Sequence, residues 1–125
     1  MQDFKEMFAD LLEVEEAMDK YEWIMDYGAG TVGLTAEYFT EENQIKGCSS
    51  PLWIARIEGR LFCWAESSIV NGLASMVTDW YNQASSEQRR LLSLNILEST
   101  GLAPLLSMGR QNGMANLIAK IKTYE

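Results

Sequence analysis

The feature that most constrains the fold is a pair of short apolar segments separated by two residues. Residues 52–57 and 60–65 read as strands, and Glu58-Gly59 between them places a glycine at the second turn position, where a tight turn needs a positive φ. This pattern predicts a β-hairpin. Apolar side chains occur on both faces of both strands, so we expect helices to cover the sheet on at least one face.

Helical periodicity flanks this hairpin on both sides. Asp3 and Glu6 form a capping-box pattern ahead of the first helix, Met18 is among the inward positions of the second, and Ser67 is a suitable N-cap for the third. The segments with helical spacing are 4–12, about 15–27, 68–83 and about 111–124, together with a stretch that Ser85 or Ser86 caps and Gly101 closes. Adjacent antiparallel strands with helices grouped at both ends predict an α+β fold, and 125 residues suit one domain spanning 1–125.

The segment 28–46 shows no sustained periodicity. It contains Gly28, Gly30 and Gly33, but no strand precedes them and no Lys-Ser/Thr follows, so they do not form a phosphate-binding loop. Long irregular stretches inside a domain are often functional. We therefore expect a functional loop here.

Composition excludes several classes of function. The chain has no histidine, which removes Ser-His-Asp and Cys-His catalysis and every histidine-based metal site. A net charge of −8 disfavours nucleic acid as a partner. No apolar run approaches the roughly 20 residues of a membrane span, and the first residues do not resemble a signal peptide. We expect a cytoplasmic protein without a bound metal or cofactor and with no membrane partner.

The two cysteines have different surroundings. Cys48 lies among small and polar residues, after Gly47 and shortly before Pro51, and the residues alone leave a buried packing role and a reactive role equally open. Cys63 lies in mid-strand between large apolar residues and is predicted to be structural and inert. Without histidine, a reactive thiol is better suited to sulfur exchange than to hydrolysis. Lys46 either favours a thiolate or persulfide by its charge or is simply a solvated loop charge.

The sequence around Cys48 resembles the active-site segment of the SufE family of sulfur acceptor proteins. The likeness covers residues 42–54, with Gly47-Cys48 at its centre, and continues at Ile69-Val70-Asn71-Gly72-Leu73. It ends in the block 101–114, which contains Arg110 and Asn112. The sequence departs from the family pattern at Ser49, Pro51, Ser68, Asn71 and Gly109.

The resemblance implies a persulfide acceptor at Cys48. The partners it implies are a pyridoxal-phosphate-dependent cysteine desulfurase, which supplies the sulfur, and an iron–sulfur scaffold or other sulfur-using protein, which receives it. It also implies a three-stranded antiparallel sheet packed with helices, as in scaffold proteins of the IscU type, and a movable loop at 35–50 that shields the thiol. We expect Arg110 and Asn112 to lie near that loop. Arg110 would either hold the loop in place or favour the anionic form of the Cys48 sulfur by its positive charge.

Two other interpretations remain open from the sequence. The protein could be a redox sensor in which Cys63 resolves an oxidised Cys48. It could also regulate a desulfurase without carrying sulfur.

Overall fold

The computed structural model describes residues 3–124 as seven helices, two strands and two short 3₁₀ turns. The helices are α1 (Phe4–Met7), α2 (Ala9–Leu12), α3 (Ala17–Ala29), α4 (Ser68–Gln83), α5 (Ser86–Arg90), α6 (Ile96–Ser99) and α7 (Met108–Lys122). The strands are β1 (Leu52–Ile57) and β2 (Arg60–Ala65), and the 3₁₀ turns are Ala36–Tyr38 and Ala103–Leu105. The predicted α+β fold is confirmed.

The hairpin forms at the predicted residues. β1 and β2 pair antiparallel, with Trp53 opposite Trp64 and Ile54 opposite Cys63. Glu58 and Gly59 have φ values of 52° and 82°, the two positive angles of a type I′ turn. This turn matches the natural twist of the strands and fixes their register.

Within residues 3–124 the sheet has two strands, not the three expected from the resemblance. In place of a third strand, Gln44 forms an isolated antiparallel bridge with Trp53. The Asn43 and Gln44 N–H groups donate to the Thr40 and Glu41 carbonyls at 3.2 and 3.3 Å. Because a turn uses the Asn43 N–H, this group does not donate to the Ile54 carbonyl, and the pairing stops at the bridge.

The inner face of the hairpin packs against α4. Five strand side chains on this face are buried, namely Leu52, Ile54, Leu61, Cys63 and Ala65. Asn82 of α4 binds both backbone groups of Leu61, accepting from its N–H at 2.8 Å and donating to its carbonyl at 3.0 Å. Asn71 accepts from the Ala65 N–H at 3.0 Å. Side-chain amides at both ends of β2 therefore hold the strand on the helix.

Helix α3 crosses α4 at very short range. Gly28 and Gly72 meet at the crossing, where a Cβ on Gly28 would lie 2.8 Å from the Gly72 Cα. The Tyr27 hydroxyl donates to the Asp79 carboxylate at 2.6 Å nearby. Burial and this carboxylate raise the pKa of Tyr27. The backbones approach so closely because neither glycine carries a side chain.

Several helix boundaries differ from those predicted. The first helix breaks at Phe8, whose φ of −112° and ψ of 27° are not helical, and the predicted helix that ends at Gly101 divides into α5 and α6. The predicted inward position of Met18 is wrong: its side chain is 69% exposed, because it lies six positions before the buried Ile24 and hence about 120° away around α3. Helix α7 begins at Met108, since the Ser107 hydroxyl caps it by accepting from the Arg110 N–H.

The outer face of the hairpin carries an aromatic cluster. Phe39 stacks on Trp53 and Trp64, with ring centroids 4.6 and 4.9 Å apart. This stacking attaches the segment before the Cys48 loop to the sheet.

No helix among residues 3–124 has the length and apolar character needed to cross a membrane.

Candidate functional site

Cys48 lies at the tip of a loop whose two ends are fixed. On the entry side, the Ile45 N–H donates to the Leu52 carbonyl at 2.8 Å and the Asn43 carbonyl accepts from the Ile54 N–H at 3.0 Å. These bonds form a stem, and loop 46–51 projects from it. Cys48 therefore lies in the part of the chain that the hydrogen bonds of this stem do not hold.

The exit side of the loop is anchored to the start of α4. Ser50 is buried, and its hydroxyl accepts from the Ser67 N–H at 3.1 Å. The Pro51 carbonyl accepts from the Glu66 N–H at 3.0 Å. Ser67 is also the N-cap of α4, so the residues following Cys48 share the anchor of that helix.

One face of α7 receives the Cys48 loop. Gly109, Gly113, Asn116 and Lys120 follow the spacing that places residues on one side of a helix. We call these four residues the loop seat. Three of them contact the segment 46–49, and Lys120 contacts Glu42 further upstream.

The glycines of the loop seat allow the thiol to approach the helix. A Cβ added to Gly113 would overlap the Sγ and Cβ of Cys48 and lie 3.0 Å from its Cα. A Cβ on Gly109 would lie 2.8 Å from the Ser49 hydroxyl. Cys48 is half-buried as a result, packed against the core from the α7 side.

The two polar members of the loop seat bind the loop backbone. The Asn116 side-chain amide donates to the Lys46 carbonyl at 2.7 Å. The Lys120 ammonium donates to the Glu42 carbonyl at 2.9 Å. Between Lys46 and Cys48, Gly47 has a φ of 76°, a left-handed conformation that side-chain-bearing residues seldom adopt.

The other predicted site residues lie around the seat in different ways. Lys46 points into solvent, 65% exposed, with its ammonium 3.9 Å from the Glu41 carboxylate. Arg110 is half-buried and adjoins Gly109, so its backbone lies beside the loop seat. Asn112 is exposed, lies one helical turn before Asn116 at the edge of the loop seat, and lines a cavity with Asn95 and Glu98. The block 109–113 thus meets the loop through its glycines.

Cys63 is in the core, on the face of β2 that packs against α4. Its side chain is 2% exposed, and its sulfur lies 3.9 Å from the Ser75 hydroxyl and 3.8 Å from that of Thr78. Burial raises the pKa of the Cys63 thiol to about 11, although these two hydroxyls lower it in part. This thiol stays protonated and unreactive near neutral pH.

The two cysteines should therefore differ in their reaction with maleimide. In the folded protein near neutral pH, we expect slow modification of Cys48 and none of Cys63, because Cys48 is partly exposed whereas Cys63 is buried and its thiol stays protonated. Mass spectrometry of the labelled protein measures this. Cys48→Ser should take up one label only after denaturation, and labelling of its folded form would contradict the assignment.

Sequence patterns single out Cys48 as the candidate thiol but do not indicate the loop seat. No local pattern marks Asn116 or Lys120 as candidate site residues, and Gly113 stands out only as part of the block 101–114. A signal was present: two glycines four positions apart in a helix leave a gap on one face, which another segment can fill. The partner segment lies far away in sequence, so the pattern could not name it.

Comparison with known proteins decides the family. The model of the family described as "SufE: Fe-S metabolism associated domain" matches residues 5–125. The chain belongs to the SufE family. The SufE match covers both the Cys48 loop and the loop seat, and it places the protein in iron–sulfur metabolism.

Individual relatives agree with this membership. A SufE-like protein of Rhizobium meliloti is 26% identical over 132 aligned positions, covering 98% of this chain and 94% of that protein. A SufE-like protein of Arabidopsis thaliana, described as chloroplastic/mitochondrial, is 27% identical over 84% of this chain and 30% of its own length. A hypothetical protein of Thermus thermophilus, solved in solution, has a TM-score of 0.77 at 15% identity, covering 96% and 90% of the two chains, and thus shares the fold.

Proposed function

We propose that this protein accepts persulfide sulfur on Cys48 from a pyridoxal-phosphate-dependent cysteine desulfurase. It then passes the sulfur to an iron–sulfur scaffold or another sulfur-using protein. The observation that carries the proposal is the position of Cys48 at the tip of a loop with a fixed stem, resting on the glycines of α7. Membership of the SufE family supports the same role.

The transfer is a thiol exchange between two proteins. The Cys48 thiolate attacks the terminal sulfur of the desulfurase persulfide, and a new sulfur–sulfur bond forms on Cys48. The bond between that terminal sulfur and the desulfurase cysteine breaks, and the desulfurase cysteine leaves as a thiolate. The exchange needs no external oxidant. Because this chain has no histidine, the Cys48 proton leaves to solvent or to a base of the partner.

Two features of the site suit a carrier. The half-buried thiol limits the access of small thiols and oxidants to a bound persulfide. Arg110, next to Gly109 of the loop seat, supplies a positive charge that we propose favours the anionic persulfide. Docking of the desulfurase would lift loop 46–51 from α7 and present the sulfur.

The test is intact mass after incubation with a desulfurase, pyridoxal phosphate and L-cysteine. We expect one added sulfur atom, mapped to Cys48 by peptide analysis and removed by a reducing agent. Cys48→Ser should gain none, whereas Cys63→Ala, the matched control, should gain the same sulfur as the natural chain. Sulfur on Cys63, or on neither cysteine, would overturn the proposal.

The two alternative functions make different predictions. A redox sensor that used Cys63 as resolving residue would need it to leave Ser75 and Thr78, where it is buried between β2 and α4. If the protein were a regulator that carries no sulfur, its Cys48→Ser variant would still stimulate the desulfurase. We expect that variant to bind the desulfurase and fail to stimulate it.

A further inference from the structure

We propose that Asn116 is a positioning residue that holds the Cys48 loop closed on α7. The proposal concerns the role of this side chain in controlling access to the thiol. Its consequence for sulfur transfer rests on the function proposed above, but its effect on the thiol itself does not.

The side chain of Asn116 contacts the loop backbone. Its amide donates to the Lys46 carbonyl at 2.7 Å. A Cβ on the neighbouring Gly47 would lie 2.6 Å from the same amide nitrogen, so the loop backbone passes directly over this side chain. The bond therefore acts on the two residues immediately before Cys48.

The hydrogen bond joins parts of the chain that are 70 positions apart. Gly113 makes room for Cys48 but offers no polar group to retain it, and Lys120 binds the chain further back, at Glu42. Among the described contacts of the loop seat, the Asn116 amide is thus the one that holds the tip of the loop. Gly113 thus allows the loop to lie against α7, and the Asn116 amide keeps it there.

The position of Asn116 also suits reversible release. Asn116 is exposed, so water competes for the bond and replaces it when the loop lifts. A neutral hydrogen bond of this kind shifts an opening equilibrium by roughly two- to tenfold. This range allows a closed resting state that a docking partner can open.

Replacing Asn116 by aspartate gives a sharp test, because the side chains have the same shape but aspartate cannot donate to the Lys46 carbonyl. We expect Asn116→Asp to speed maleimide labelling of Cys48 by roughly two- to tenfold. The matched control is Asn112→Asp, which makes the same charge change one helical turn from Asn116, at an exposed side chain that lines the cavity with Asn95 and Glu98. Asn116→Ala should act as Asn116→Asp does.

Stability and transfer kinetics separate positioning from a general structural role. The thermal midpoints of the aspartate variants should lie within a few degrees of each other. With a desulfurase present, Asn116→Asp should lower the half-saturating concentration of this protein and leave the maximal rate unchanged, since a larger fraction is already open. Equal labelling rates for the two aspartate variants, or a raised half-saturating concentration, would overturn the proposal. Absence of sulfur on the natural chain's Cys48 would instead refute the proposed function and leave the labelling result standing.

Discussion

Replacing Gly113 by alanine should expel the Cys48 loop from α7 without unfolding the protein. The added methyl group would occupy the space of the Cys48 Sγ and Cβ and press on its Cα. Overpacking of this kind costs about 1–3 kcal/mol, and here the loop can avoid that cost by lifting away. We expect maleimide to label Cys48 roughly tenfold faster or more in the variant.

The same substitution should not lower the thermal midpoint. Alanine is favoured over glycine inside a helix by about 1 kcal/mol, so α7 itself gains stability. Gly30→Ala provides the control, because its Cβ would meet carbonyl oxygens only at 3.5 and 3.8 Å, which are ordinary contacts. Slow labelling of Gly113→Ala, at the natural rate, would show that the loop does not depend on the glycine.

Replacing Gly72 by alanine should have the largest effect on stability. A Cβ there would collide with the Ile24 carbonyl of α3 and lie 2.7 Å from its carbon. The obstacle is backbone rather than a flexible side chain, so the two helices must separate. We expect a loss of about 3 kcal/mol or more, at or above the top of the usual overpacking range, and a thermal midpoint lower by roughly 10 °C.

Circular dichroism of the helical signal during heating measures this change. Gly30→Ala again serves as control, since it introduces the same methyl group at the end of α3 without a close contact. An unchanged midpoint for Gly72→Ala would mean that the α3–α4 crossing is far more compliant than its geometry indicates.

Local sequence patterns predicted the hairpin and α4 to the residue. The Glu58-Gly59 turn and the Ser67 cap determine those boundaries within a few residues of chain, so no distant contact is needed. The beginning of α7 was predicted three residues late, at 111, because Gly109 and Gly113 interrupt the apolar pattern that marks a helix. Glycine is needed at these two positions because Ser49 and Cys48 of the loop leave no room for a side chain.

The third strand and the loop seat share one reason for escaping prediction. Both depend on segments that are remote in sequence, and local periodicity does not report such contacts. Asn43 uses its N–H group in a turn instead of pairing it with Ile54, which reduces the expected strand to a bridge. Asn116 reaches Lys46 only because the core brings α7 alongside the loop.

The fixed stem of the Cys48 loop sets the reach of the thiol. A hydrogen bond joins the backbones of Ile45 and Leu52, so only the six residues of loop 46–51 connect the sulfur to the stem. Each half of loop 46–51 spans at most about 10 Å when fully extended. For the proposed transfer, a partner must bring its own sulfur within that distance of the stem. If the partner's sulfur is recessed below its surface, the hairpin itself must enter the partner's site.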